Sequence, residues 1–534
     1  MPSERFQAAA ARGTLVRESI ALGARLTTDL PPFLRQPVTV EAARARLQGE
    51  LARRPERFLQ VVARAVYRRP NSPYRWLLQQ AGCEYGDLVA LVAREGLEGA
   101  LRHLADRGVY VDFDEFKGRR EIVRGSARLA CTDRDFDNLL ARSHYLSATG
   151  GSRGRATWVH KSLGNANDMA VSFALVQKAY GIHQPQHLFW IGPSPAWALV
   201  HLGLGDDIDA WFYPVHPLPA VARFGQAYLR LLSRLGGRRV PPLVFCDVQQ
   251  PERIAAWIAT HRDGQRPVLV NTVASSAVRI AAAAASAGQS LAGVTFHTRS
   301  EPLTPARRRI IEQAGARVLA DYASVELSGI AYGCATATHA DDLHFSSNRY
   351  AVVERERPVV AGGPTVDAML LTTLSPDGAK VAINTELGDA ARIEQRDCEC
   401  LLGSLGLRTH LSEVRSFEKL STEGTTFART NIVQILEDIL PARFGGIALD
   451  YQLVEEERAD GATSLVLRVH PSIGEIDEAA VCDALLDEMG RGNLVDEYQA
   501  TLIRRAQSVI IRRLPPIATG AGKVLPFHLQ RASE

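Results

Sequence analysis

Charge of either sign is not in surplus: 62 lysines and arginines face 59 aspartates and glutamates, a formal net charge of +3 over 534 residues. So weak a field gives no reason to expect nucleic acid or an anionic membrane as partner. Cysteine is scarce, with seven residues at 83, 131, 246, 334, 398, 400 and 482. They are too few and too uneven for a disulfide scaffold, and a reducing cytoplasm is the expected setting. No run suits a membrane span. The longest uncharged stretch, Ile182 to Gly205, is broken by Pro185, Gly192, Pro193 and Pro195, contains histidines, and is expected to be strand and loop in a buried body. Met1 to Thr14 carries Glu4, Arg5 and Arg12 around a short alanine run, without the apolar core of a secretory leader, so export is not expected. Internal repeats and low-complexity tracts are also missing.

What is present, 46% apolar and 23% charged residues, is the composition of a folded globular protein. The length exceeds what one core usually supports, so several units are expected. Residues 1–125 form a helical section with the periodicity of Val40 to Leu47 and Leu88 to Arg94 and with Pro31-Pro32 and Pro70 as breakers. Val109 to Phe113 and Glu121 to Val123 look β-rich. Across residues 126–413, apolar runs such as Leu188 to Ile191, Leu243 to Cys246, Val268 to Val270 and Val318 to Ala320 alternate with helical segments such as Ala274 to Ala287 and Pro305 to Ala314. That alternation predicts an α/β core of layered mixed sheets. Residues 414–534 predict a small α+β domain: helices at Ile432 to Ile439 and Asp477 to Glu488, and strands at Tyr451 to Val454, Ser464 to Val469 and Ser508 to Ile511.

Three motifs carry chemistry. Ser147-Ala-Thr149-Gly150-Gly151-Ser152-Arg153-Gly-Arg155-Ala-Thr157 combines glycines that admit a polyphosphate to the backbone with hydroxyls and arginines that hold it. It lacks the Gly-Lys-Ser/Thr ending of a P-loop, and a plain Gly/Ser turn fits the same residues. Ser300-Glu301-Pro-Leu-Thr304-Pro305 has a helix start, Thr304 capping and Pro305 in the first turn. Asp321-Tyr322-Ala-Ser324-Val-Glu326 places a carboxylate beside an aromatic ring, where it could hold magnesium on ATP phosphates.

These motifs, followed by Leu387-Gly388-Asp389 and a late Gly520-Ala-Gly-Lys523, resemble in order the adenylate-forming superfamily of acyl-CoA synthetases, adenylation domains and luciferases. Within it the chain looks most like the phenylacetate–CoA ligase branch. The resemblance covers roughly residues 140 to 530. It implies a large N-terminal domain and a small mobile C-terminal one. Thr149, Gly150, Gly151, Ser152, Arg153 and Arg155 would bind phosphates, Tyr322 would pack on adenine with Glu301 and Ser324 nearby, Glu326 would hold magnesium, Asp389 and Arg415 would hold ribose, and Lys523 would reach the α-phosphate. A hinge is implied near Phe417-Glu418. The chemistry agrees: a carboxylate attacking the α-phosphorus joins two anions and needs cations, and a lysine on a moving domain can supply and withdraw one. The sequence departs from the pattern at Arg153, inserted in the loop, at Gly151, at Glu386 in Thr385-Glu-Leu-Gly-Asp389, and at the hinge.

Cys334, His344, Cys398 and Cys400 form a three-cysteine, one-histidine set suited to structural zinc, with His339 as an alternative ligand. Cys-x-Cys is tighter than usual, but Asp397 and Glu399 make it too polar for core, and the resembled branch often has a cluster there. The acyl pocket implied by resemblance is lined by Trp190 to Pro195, Val270 to Ser276 and Thr295 to Arg299. Thr272, Ser275, Ser276, His297 and Thr298 there either line a polar pocket for an aryl or small functionalised acid or simply cap strand ends. The expectation is activation of a carboxylic acid by ATP as acyl-AMP, with release of pyrophosphate and transfer to the thiol of CoA. Transfer to a carrier protein, an enzyme thiol or an amine is the second reading, and a nucleotide-binding pseudoenzyme the third. A homodimer is left open.

Overall fold

The computed structural model describes residues 4–148, 158–192, 194–215, 217–218, 220–358, 365–416, 419–422, 425–428, 432, 435–447, 450–458, 463–491, 494–517 and 527–529. The apolar runs that alternate with helices form one half of a 12-stranded sheet. Its six strands lie in the order Arg317–Ser324, Val294–Arg299, Val268–Val273, Gln186–Trp190, Ala210–Tyr213, Leu243–Phe245, and every neighbouring pair is parallel. All of Val294–Arg299 is buried, because helices cover a parallel sheet on both faces. Ile254, Ile258, Ala277, Ile280 and Ile311 of three helices pack with Val268, Val270 and Phe296 on one side. On the other, Leu30, Leu34, Leu199 and Leu202 pack with Phe189 and Trp211.

The chain builds outward from Gln186–Trp190 in one direction and then from Val268–Val273 in the other, so the strand order reverses between these two. Connections diverge at such a point and leave a crevice at the carboxyl ends of the strands, the usual ligand position in α/β sheets. Beyond Arg317–Ser324 the sheet continues antiparallel through Ser328–Gly333, Leu343–Phe345, Thr409–Ser416, Thr385–Gln395, Thr365–Thr373 and Tyr350–Pro358. The N-terminal helices cover that half, with Phe58, Val62, Leu101 and Leu104 packed among Val353, Met369, Leu371 and Ile383. Among the described residues no helix is long and apolar enough to cross a membrane.

Three local expectations give way to tertiary context. Pro31 and Pro32 do not break the first helix, which runs Glu4–Leu34; Leu30 and Leu34 are fully buried against the sheet layer, and packing outweighs the propensity of the last turn. Ile182 to Gly205 is a strand followed by the helix Pro195–Gly203, since a proline in the first turn starts a helix as readily as it ends one. Val109 to Phe113 contributes only a bridge from Val111 to Thr385. Asp112 caps the short helix Phe113–Phe116 there, accepting from the amides of Asp114 and Glu115.

The small unit has a four-stranded sheet in the order Val509–Arg512, Thr463–Val469, Tyr451–Glu457, Phe527–Leu529. Leu453, Leu465 and Leu467 pack with Val481, Leu485 and Ile503. Ile503 lies on a helix, Leu494–Ala506, that the periodicity did not reveal. That helix meets the large unit: Leu502 and Ala506 pack on Val215 and Val248, Arg505 pairs with Asp247, and Gln249 donates to the Arg505 carbonyl at 2.8 Å.

Candidate active site

The Gly-rich motif joins the two strands of an antiparallel hairpin, Tyr145–Ala148 and Trp158–Lys161, paired from Tyr145↔Lys161 to Ala148↔Trp158. Its tip, including Thr149, Gly150, Gly151, Ser152, Arg153 and Arg155, lies outside the described residues, as do Lys523 and Phe417-Glu418. Lys161 donates from Nζ to Ser328 Oγ at 2.6 Å, and Ser328 Oγ donates to Asn165 Oδ1 at 2.7 Å. Ser328 closes the turn that carries Glu326, because Arg317–Ser324 and Ser328–Gly333 pair through Ser324↔Ser328. Ser328 holds a left-handed φ of 71°, and Ser324 Oγ braces the turn by accepting from the Leu327 amide at 2.9 Å.

At the start of the same turn Tyr322 donates from its hydroxyl to Asp389 Oδ2 at 2.8 Å. Burial, reinforced by that carboxylate, pushes the phenol well above its usual range. The structure therefore brings together Tyr322, Ser324, Glu326, Asp389 and the stem of the Gly-rich loop. Arg415 is on the strand beside Asp389, opposite Ala390, but its guanidinium is committed to Asp341 at 3.0 Å. Glu301 also has protein partners: Ser275 donates to it from N at 2.7 Å and from Oγ at 3.1 Å, and Arg307 Nη1 lies 3.4 Å away. Thr304 caps the following helix through the Arg307 amide, as its sequence predicts.

Two cations at this place escaped the sequence reading. Lys117, from the basic turn after Phe116, forms an ion pair with Glu326 in which both side chains are buried. Burial pulls the Lys117 ammonium below its usual range, and it pushes that of Lys161 down to about 7. A signal existed: only six lysines, at 117, 161, 178, 380, 419 and 523, occur among the 62 basic residues. Where arginine is the default, a lysine on an apolar strand marks a site that needs a compact ammonium. Lys380, the third buried one, pairs with Asp137 at 2.6 Å.

The hydroxyls of the expected acyl pocket are turned to the protein. Thr272 donates to the Trp190 carbonyl at 2.9 Å and Thr298 to the Leu319 carbonyl at 3.4 Å, while Ser275 is held by Glu301. The two threonines thus tie neighbouring strands, and Ser275 braces Glu301 from the start of a helix. His297 Nε2 sits 2.9 Å from Asp321 Oδ2, and burial lowers this imidazole to about 4, so it is neutral.

Cys334, His344, Cys398 and Cys400 converge, with one ligand atom from each within 4.8 Å of all the others. Cys334 and Cys398 Sγ are 3.4 Å apart, and His344 Nε2 is 3.0 Å from Cys400 Sγ. Tetrahedral ligands on bonds of about 2.0–2.3 Å stand roughly 3.5 Å from one another, so the donor set and its spacing fit zinc. His344 Nδ1 donates to the Leu407 carbonyl at 2.8 Å, which fixes the tautomer and leaves Nε2 as the ligand. His339 is not among the four.

No protein-family model matches the chain, and no curated protein matches it in sequence. Among solved structures, 2-hydroxyisobutyryl-CoA ligase in complex with 2-HIB-AMP and CoA, in its thioesterification state, aligns at 16% identity and a TM-score of 0.51, over 93% of this chain and 91% of that one. The amide bond synthetase McbA from Marinactinospora thermotolerans aligns at 12% identity and a TM-score of 0.42, over 91% and 98%. The first likeness shows the fold: a large α/β unit with a small α+β unit, in the two-domain architecture of adenylate-forming enzymes.

Proposed function

We propose that this chain activates a carboxylic acid with ATP, forming an acyl-AMP and releasing pyrophosphate, and then passes the acyl group to the thiol of CoA. One observation carries the reading. The stem of the Gly-rich loop, the Glu326 turn and the Tyr322–Asp389 pair meet at one place, tied by Lys161 to Ser328. In the order expected of a nucleotide site, Tyr322 would face adenine, Asp389 the ribose, and the Gly-rich loop the phosphates. Glu326 would hold magnesium, which neutralises phosphate charge when bound. Lys117, already on that carboxylate, is a second cation at the same spot. Lys523 would complete the site from the small domain.

The finer assignments belong to the same proposal: a phenylacetate–CoA ligase-like branch, a domain boundary near residue 413, a cytoplasmic setting, and zinc held by Cys334, His344, Cys398 and Cys400 as a structural brace. ATP–pyrophosphate exchange over a panel of aryl and alkyl acids tests the first step. Exchange with some acid, lowered by orders of magnitude in Lys523→Ala while ATP still binds, is the expected outcome; no exchange with any acid leaves a nucleotide-binding pseudoenzyme. Thioester detected by mass after CoA is added separates CoA from a carrier protein or amine as acceptor.

A further inference from the structure

Toward the carboxyl ends of the strands beside the reversal, where a crevice is expected, stand buried residues whose polar atoms are only partly used. Arg299, the last residue of Val294–Arg299, is 2% exposed. Its guanidinium lies over Trp197, with Cζ 3.2 Å from the ring centre, and Trp197 belongs to the helix that follows Gln186–Trp190. Nη2 contacts His297 Nδ1 at 2.9 Å and Asn271 Oδ1 at 3.2 Å. Among the described residues Nε and Nη1 have no hydrogen-bond partner, and neither does Asn271 Nδ2, although Asn271, opposite His297 on the adjacent strand, is fully buried.

The charge around this arginine is lopsided. Asp321 is the one nearby acid acting on it: its Oδ2 meets the neutral His297 ring, which also contacts the guanidinium, and its Oδ1 has no hydrogen-bond partner among the described residues. His201, whose Nε2 is 3.1 Å from Asn271 Oδ1, is also held neutral, chiefly by burial. Buried N–H donors on a cation are costly to leave unmade, and an arginine fork matches a carboxylate.

We propose that Arg299, stacked on Trp197 and flanked by the Asn271 amide, recognises a second carboxylate on the acid to be activated, so that the substrates are dicarboxylic acids. This rests on the adenylation reading, in which one carboxylate meets the nucleotide site and the other end of the molecule enters the crevice. The small domain stands close after the carboxyl end of Gln186–Trp190: a side chain added at Gly192 would meet Tyr498 Oη at 2.9 Å.

Exchange rates with glutarate, adipate, pimelate and terephthalate, set against pentanoate, hexanoate, heptanoate and benzoate, test the proposal. A charge-assisted pair predicts a kcat/KM ratio of about 100 in favour of the diacid, carried in KM because Arg299 is remote from the reacting carboxylate. In Arg299→Gln that ratio should fall to within about threefold of unity, and Arg299→Lys should restore part of it. A wild-type preference for monoacids, or an unchanged ratio in Arg299→Gln, overturns the proposal. Should no acid support exchange, the adenylation reading fails by itself. The crevice is then read by a tryptophan fluorescence change with adipate that is absent in Trp197→Phe and Arg299→Gln: its presence upholds a diacid site, and its absence with every diacid overturns one.

Discussion

Glu301 shows how role and position separate. By resemblance it belongs to the nucleotide site, but its geometry is that of a brace: the side chains of Glu301 and Arg307 are 0% and 1% exposed, and the carboxylate also takes the Ser275 amide at the start of the helix Ala274–Ser286. Glu301→Ala leaves the Arg307 guanidinium buried beside the Pro302 carbonyl it already bonds at 2.8 Å, without this anion. Removing one partner of a buried pair costs about 3–5 kcal/mol, and the lost acceptor for Ser275 overlaps with that cost rather than adding fully. The expected loss is about 4 kcal/mol, a large part of a total stability of roughly 5–15 kcal/mol. Glu301→Gln keeps an acceptor for Ser275 and should lose about half as much. Urea unfolding followed by tryptophan fluorescence measures both, taken on the transition of the large unit because two domains need not unfold together. A Glu301→Ala protein within about 1 kcal/mol of wild type that needs tenfold more ATP would refute the brace and make Glu301 a nucleotide ligand.

Lys161 predicts a pH dependence. Its ammonium titrates near 7 in the fold against 10.5 when unperturbed, so between these values the unfolded chain binds more protons and stability rises with pH, by up to about 1.4 kcal/mol per unit. Lys161→Met should therefore be more stable than wild type near pH 6 and lose that advantage by pH 10; parallel urea midpoints across the range would contradict the burial argument. The cysteine cluster predicts about one zinc per chain by metal analysis, with Cys398→Ser losing the metal and melting lower. Metal-free wild-type protein with an unaltered Cys398→Ser melting curve would remove zinc from the account. Lys117→Met should raise the KM for ATP and lower exchange about tenfold or more by withdrawing a cation from Glu326; exchange kinetics identical to wild type would show the pair to be structural only.

Much of the fold was legible because its signals are local. Strands buried on both faces appear as uninterrupted apolar runs, and Thr304-Pro305 announced a helix that caps as written. The convergence of Tyr322, Glu326 and Asp389 could be inferred only from the order of motifs. The four zinc-type ligands could be grouped by chemistry, although nothing in the spacing between His344 and Cys398 required that they meet. What stayed hidden depends on pairing across the chain. Lys117 meets Glu326 only because the N-terminal helices pack on the antiparallel half of the sheet, and the helix Leu494–Ala506 gains its order by docking on two surfaces, its own core and the large unit.

The acidic departure at Glu386 follows the same logic. In sequence it puts a negative charge three positions before Asp389, where it would repel a nucleotide. In the fold Glu386 is fully buried and forms an ion pair with Arg357 of the edge strand Tyr350–Pro358, while Asp389 turns to Tyr322. Two acids on one strand thus serve separate partners, and the negative charge of Glu386 is met by Arg357. Because a buried charge stripped of its partner is worse than a neutral pair, Arg357→Ala should destabilise the chain by about 3 kcal/mol, whereas Arg357→Leu with Glu386→Leu should recover most of that loss. Recovery accompanied by unaltered ATP affinity is the expected result in urea and nucleotide titrations. A double variant that folds as wild type but binds ATP tenfold more tightly would show that the charge of Glu386 does reach the nucleotide, and that the sequence departure weakens the site.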